Sequence, residues 1–164
     1  MEGQYVIERA RGEDADAIFA LYHSLIDDPY GTWSEEYPSR ELVEDDLANG
    51  QVFVMREEGG RIVSAIVCES SDEFEALAPW YEDVSSWAQL GRLGVARDVQ
   101  GRGIARLMLA HAMEQARAQG CQAVRFLVGA HNVPAQRSYA KLGFDVCGEA
   151  DAWEGHWLCY EKRL

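Results

Sequence analysis

Alternation and helical spacing divide the chain into a series of strands and helices. Residues 4–8 are short and β-prone, and Gly12 to Asp16 open a helix that sets Ile18, Leu21, Tyr22, Leu25 and Ile26 on one face. Residues 27–38, with Pro29, Gly31 and Pro38, read as loop. Ser39 then caps a second helix ending at Asn49-Gly50, whose Asp and Glu run is expected to be a solvated face. Residues 52–56 and 62–67 are β-rich, and Glu57-Glu58-Gly59-Gly60 between them predicts an antiparallel hairpin, because glycine supplies the positive φ that tight turns need. Residues 70–86 are acidic and aromatic with no period, a length of loop that often carries function.

The second half repeats the alternation of element types. Residues 87–95 are β-like, and residues 101–118 form a helix with Ile104, Met108, Leu109, Ala112, Met113 and Ala116 on its apolar side, ended by Gly120. Residues 123–128 are a strand. Asn132 caps a helix through Leu142 with Gly143 past its end, and residues 144–148 and 157–161 complete a sheet. No linker or internal repeat interrupts the series, so residues 1–164 are read as one domain, long enough to bury roughly 70% of its unfolded surface.

Composition narrows the class. The apolar share of 48% and charged share of 26% are those of a globular protein. A net charge of −13 opposes nucleic-acid binding, because a phosphate backbone would be repelled. The charge is uneven: residues 1–90 carry 21 acidic and 5 basic side chains, a net −16, whereas residues 91–164 carry 7 and 10, a net +3. An anionic cofactor is tolerated in the second half. Cys68, Cys121, Cys147 and Cys159 are widely spaced and read as structural thiols, and His23, His111, His131 and His156 have no ligand spacing, so no metal is expected. His131 reads as a loop side chain and Trp153 and Trp157 as packing residues. The start, with Glu2 and Glu8, lacks an apolar signal core, and no run approaches the ~18 apolar residues of a membrane span. These features imply a cytoplasmic protein with no membrane partner.

Chemistry is concentrated where a strand ending in Leu93-Gly94-Val95 leads through Gln100-Gly101-Arg102-Gly103-Ile104-Ala105-Arg106 into a helix. The first turn of a helix has unpartnered N–H groups and a partial positive charge, and glycines let its backbone come close to a phosphate. Taken alone, the same glycines also fit a tight strand-to-helix connection. A P-loop would need Gly-Lys-Ser/Thr, and a dinucleotide fingerprint would want Gly or Ala in place of Arg106, so neither fits.

Residues 100–105 resemble the Q/R-x-x-G-x-G/A pyrophosphate motif of the GNAT superfamily of acyl-CoA-dependent N-acyltransferases. Asn132, Ala135, Tyr139, Lys141, Leu142, Gly143 and Phe144 are similar to that superfamily's N-x-x-A-x-x-x-Y-x-K-x-G-F segment. The resemblance implies an α+β domain with a mostly antiparallel sheet of six to seven strands, about four helices, and a fourth and fifth strand that splay to admit pantetheine. It implies acetyl-CoA as acyl donor. Backbone groups of Leu93, Gly94 and Val95 would hold the acyl arm, residues Gln100 to Arg106 the pyrophosphate, and Asn132 the cofactor arm. Tyr139 would be the general acid, protonating the departing CoA thiolate. From the residues themselves, Tyr139 shares a helix face with Ala135 and Leu142 and also suits core packing, and Asn132 also reads as an N-cap.

The implied activity is N-acetyl transfer to a primary amine of a small molecule or to a lysine-like group. Asp27, Asp28, Glu35, Glu36, Asp72, Glu73 and Glu75 lie in segments that the resemblance assigns to the acceptor side, which favours a cationic acceptor. Some relatives that acetylate protein N-termini carry a glutamate five residues before the cofactor-binding asparagine, where this chain has Leu127. Glu69, Asp72, Glu73 and Glu75 are alternative bases, each read as a surface charge, and none is assigned. Two rival readings stand: an acyl-CoA-binding sensor or inactive partner, and an interaction domain using the Trp80-Tyr81 loop. A homodimer is left open.

Overall fold

The computed structural model describes residues 4–164, so Glu2 lies outside the described residues. Strand β1 (Val6–Arg9) leads through a short turn into helix α1 (Ala15–His23), and a loop leads to α2 (Arg40–Ala48). The Ser39 hydroxyl accepts the Leu42 N–H at 3.1 Å, which supplies one of the N–H partners a helix start lacks. The hairpin β2 (Val52–Arg56) and β3 (Ile62–Glu69) precedes β4 (Trp87–Val95), α3 (Ile104–Ala118), β5 (Ala123–Gly129) and α4 (Val133–Tyr139). The chain ends with β6 (Asp145–Ala152) and β7 (Gly155–Arg163).

The strands form one sheet in the order β1-β2-β3-β4-β5-β7-β6. Every pairing is antiparallel except β4 with β5. Helix α3 buries Ile104, Met108, Leu109, Ala112, Met113 and Ala116, the whole of its expected apolar stripe, against one face of the sheet. Helix α1 buries Ile18, Leu21 and Tyr22 against the other.

Two departures from the expected elements have local causes. Strands β6 and β7 run on until they meet at Trp153-Glu154, both with positive φ (46° and 61°). Such two-residue turns are normally marked by Asn or Gly, so the sequence hides this one. Trp153 is accordingly 56% exposed at the hairpin tip rather than packed in the core, touching Phe74 edge-on at 6.0 Å.

The parallel β4–β5 pairing is short. It joins Trp87 to Ala123, Ala88 to Val124 and Gln89 to Arg125 and then stops, although β4 continues to Val95 and β5 to Gly129. The strands splay beyond that point. At the closed end, Arg125 donates from Nε to Glu161 Oε2 at 2.8 Å, and its guanidinium lies 4.0 Å from the Trp87 ring centre and 5.0 Å from that of Trp80. Glu161 Oε1 accepts the Tyr81 N–H at 2.7 Å. Gln89 Oε1 accepts the Phe74 N–H, and the Trp80 and Trp87 indoles donate to the carbonyls of Phe74 and Ser71. The aperiodic 70–86 segment is thus ordered by contacts to the base of the splay.

The side chains of Arg125 and Glu161 are 3% and 0% exposed, so removing one leaves the other charged and buried. Arg125→Ala is expected to cost about 3–5 kcal/mol in urea unfolding. Arg117→Ala, which breaks an exposed pair with Glu114, should move the midpoint far less.

Candidate active site

The parallel orientation of β4 and β5 brings their C-terminal ends, and the starts of α3 and α4, to the same end of the sheet. Gly101 and Gly103 both adopt left-handed backbone (φ 79°), and Gly103 is the N-cap of α3. The predicted helix therefore begins at Ile104, three residues later than the spacing indicated. A glycine N-cap offers no side-chain acceptor, and Leu107 N–H bonds back to Gly103 O at 3.1 Å, so the N–H groups of Ile104, Ala105 and Arg106 have no helical partner. A Cβ on Gly103 would come within 3.2 Å of the Arg106 guanidinium. Arg102 and Arg106 are exposed at this end. The neighbouring carboxylate, Asp98, is drawn aside by two hydrogen bonds from Arg61 (2.8 and 2.9 Å), which hold its pKa below the usual range. Gln100 is exposed, and its Nε2 donates to Val95 O at 2.9 Å and ties the turn to β4.

Along β4, Ala96 N–H donates to Val63 O of β3, so strand alternation turns the backbone of Val95, and of Leu93 before it, toward the splay. Gly94 has a steric reason. Its Cβ would meet Leu25, Trp33 and Tyr22 at 3.0–3.3 Å, because α1 and the loop after it rest on bare backbone. On the other lip, Asn132 Oδ1 accepts the Ala135 N–H at 3.2 Å as an N-cap, leaving the amide NH2 for another partner. Gln136 anchors α4 to the end of β5 through the carbonyls of Gly129 and Ala130.

Tyr139 is half-buried at the end of α4, its ring edge-on to Phe126 at 5.7 Å, and Phe126 is the first β5 residue beyond the last β4–β5 pair. Burial pushes its phenol up to about 12, so it stays protonated at neutral pH. The ring packs, and the hydroxyl has no hydrogen-bond partner among the described residues. The topology thus brings the backbone of residues 93–95, the turn at residues 100–106 and Asn132 to the splayed end of the sheet, with Tyr139 packed on Phe126 just beyond the last β4–β5 pair.

A second cluster, on the α1–α2 face, was missed by the sequence reading. The β3–β4 register moves from Val67↔Gly91 to Ala65↔Gly94, a bulge in which Arg92 has φ 46°. Arg92 donates to both Asp46 carboxylate oxygens (2.8 and 2.9 Å), and its backbone carbonyl accepts the Tyr22 hydroxyl at 2.7 Å. Its Nη2 lies 3.6 Å from Glu69. Asp46 is therefore buried rather than on the solvated face expected of α2. Val43, Asp46 and Leu47 share helical spacing, the one signal that could have shown it. Glu69, expected on the surface, is half-buried. Burial raises the carboxyl pKa of both, against the pull of Arg92. Among the described residues no group of His, Cys, Asp or Glu is placed to hold a metal ion.

This arrangement can be set beside known proteins. The family model described as Acetyltransferase (GNAT) family matches residues 4–144. The chain belongs to the GNAT acetyltransferase family. An acetyltransferase of the GNAT family from Streptococcus agalactiae has the same fold, with a TM-score of 0.80 at 22% identity over 98% of this chain and 95% of that one. The ribosomal-protein-alanine N-acetyltransferase of Brucella melitensis gives a TM-score of 0.74 at 22% identity over 97% and 99%. In sequence, the chain is 31% identical over 75 residues to the mycothiol acetyltransferase of Corynebacterium aurimucosum, a stretch that is 45% of this chain and 25% of that protein. The matched segment thus spans a quarter of that curated relative. The splayed, seven-stranded sheet is the GNAT fold expected from the two motifs, and among the described residues no helix is long and apolar enough to cross a membrane.

The raised pKa of Tyr139 has a consequence for stability. Its neutral form is favoured in the folded state, so the contribution is full below the unfolded value of 10 and is lost as pH rises through about 12. Relative to Tyr139→Phe, the wild type is expected to lose ~1 kcal/mol by about pH 11 and nothing below about pH 9, measured by urea unfolding across pH.

Proposed function

We propose that this protein moves the acetyl group of acetyl-CoA directly onto a primary amine, carried by a small molecule or a lysine-like group. The observation that carries the reading is the cleft between β4 and β5, which has an uncapped glycine turn at its mouth and a protonated phenol on its lip. Acetyl-CoA supplies an activated thioester when bound. The free N–H groups of Ile104 to Arg106, with Gly101, Arg102 and Gly103, suit the pyrophosphate, because they present positive charge without side-chain obstruction. The outward backbone of Leu93 and Val95, next to Gly94, suits the acyl-bearing arm as an added strand edge would, and the spare amide of Asn132 reaches the same arm. Gln100 contributes indirectly, by holding the turn against Val95.

Tyr139 would give its proton to sulfur as the C–S bond breaks, so that CoA leaves as a thiol rather than a thiolate. The acceptor would enter from the α1–α2 face. Asp27 is paired with Arg97 and Asp28 is used in a turn with Tyr30, but Glu36, Asp72, Glu73 and Glu75 are exposed and make no ion pair among the described residues. Their field favours a cationic amine. A cytoplasmic setting belongs to the same proposal and is supported by the four free cysteines.

The deciding experiment is thiol release from acetyl-CoA over a panel of matched cationic, neutral and anionic amines at low and high salt. We expect turnover on amines with a cationic preference that weakens with salt; better use of anionic amino acids at low salt would refute the charge argument. Binding without turnover on any amine would make the protein an acyl-CoA sensor. Acetyl-CoA should raise Tm, and a folded Gly103→Val protein should lose the shift; a shift retained in folded Gly103→Val would count against the site. Tyr139→Phe should keep the shift and lower kcat by about 10²-fold or more.

A further inference from the structure

A reaction that begins with an ammonium needs a group to remove its proton, and among the described residues one carboxylate on the α1–α2 face is desolvated without accepting a hydrogen bond of normal length. Asp72, Glu73 and Glu75 are exposed. Asp46 is buried, but both its oxygens accept hydrogen bonds from Arg92. Glu69 differs from all of them. Its side chain is 20% exposed, and the nearest Arg92 nitrogen, at 3.6 Å, is beyond hydrogen-bonding distance.

We infer that Glu69 is the proton acceptor for the amine that this protein acetylates, an inference that rests on the activity proposed above. Glu69 is the last residue of β3 and lies opposite Gln89, on the sheet face that carries α1 and α2. Between it and Leu93 stands Gly91, whose missing Cβ would point into open space. Four strand residues separate the level of Glu69 from Leu93, roughly 13 Å at 3.3 Å per residue, less what the bulge takes up. The glutamate side chain closes part of that gap. The open face of Gly91 leaves room for the amine and for water to relay the proton.

The groups around Glu69 set its behaviour. Arg92 from β4 pulls the carboxyl down, Asp46 from α2 and Glu73 from the 70–86 loop push it up, and Tyr37 from the loop between α1 and α2 places its hydroxyl 3.4 Å from Arg92. Burial leads these effects and lifts the Glu69 carboxyl above its ordinary value, which makes it a stronger base than a surface glutamate.

The protons balance. An ammonium and the thioester yield an amide, CoA thiol and one proton. Of the two protons that leave nitrogen, one passes to Glu69 and on to water. The other replaces, through solvent, the proton that Tyr139 gave to sulfur when the C–S bond broke and the C–N bond formed.

The test is Glu69→Gln, assayed with the best amine of the panel. We expect kcat to fall about 10²–10⁴-fold and the acidic limb of the kcat–pH profile, placed above the ordinary carboxylate range in the wild type, to disappear, with the acetyl-CoA-induced Tm shift retained. Glu69→Ala should be slow and should regain activity with added formate, which separates a proton acceptor from a packing residue. An unmoved acidic limb in Glu69→Gln, or a rate loss in Glu69→Ala that formate leaves untouched, would overturn the inference. If the wild type turns over no amine at all, the proposed activity and this inference fall together; if the wild type is active and either of those results appears, this inference alone falls.

Discussion

Three residue pairs, Trp87 with Ala123 through Gln89 with Arg125, hold the two halves of the sheet together. Everything distinctive about the fold follows from where that parallel ladder stops. Were it to continue, β4 and β5 would satisfy each other's backbone groups and leave no cleft. The stop is enforced from both ends. Beyond it, the bulge at Arg92 changes which way the β4 backbone faces, and Gly94 lets Tyr22, Leu25 and Trp33 press against the strand. At it, Arg125 turns its side chain into a stack between Trp80 and Trp87 and pairs with Glu161 on β7, so the last joined residue is fastened to both halves at once.

A buried ion pair is weak evidence for net stability, because desolvation offsets most of its Coulomb attraction. The Arg125–Glu161 pair is better understood as a positional device. Glu161 also accepts the Tyr81 N–H, and the two indoles flanking Arg125 hydrogen-bond the backbone of residues 71 and 74. The acidic loop is thereby fastened to the closed end of the splay. The Arg92–Asp46 pair does the same on the other side, joining α2 to the bulge.

Most of the scaffold was legible in the sequence because its determinants are local. Ser39 and Asn132 cap helices as their side-chain chemistry predicts, the Glu57 to Gly60 turn makes its hairpin, and the stripe from Ile104 to Ala116 is buried as a unit. The places of the glycine turn before α3 and of Tyr139 at the end of α4 were legible because two motifs with fixed spacing coincide with those elements. What could not be read depends on contacts distant in sequence. The burial of Asp46 is decided by an arginine 46 residues away, and the conformation of that arginine by a bulge that Gly91-Arg92-Leu93-Gly94 does not announce. The Trp153-Glu154 turn was hidden for the opposite reason, since it uses residues that turn rules place elsewhere.

The two faces of the cleft divide the electrostatic work. On the α3–α4 side, uncapped N–H groups with Arg102 and Arg106 present positive charge, while Arg61 draws the nearest carboxylate away. On the α1–α2 side the charges are mostly acidic, and the half-buried Arg92 gives its strong hydrogen bonds to Asp46. Because Arg92 spends both of its strong hydrogen bonds on Asp46, its contact with Glu69 is the longer one, at 3.6 Å. Substituting Asp46 would hand that guanidinium to Glu69 and lower its basicity, so the acidity of the α2 residue and the availability of the β3 residue are one property. The interrupted ladder thus sets a basic glycine turn on one side of β4 and a mostly acidic surface on the other, with the backbone from Gly91 to Val95 between them.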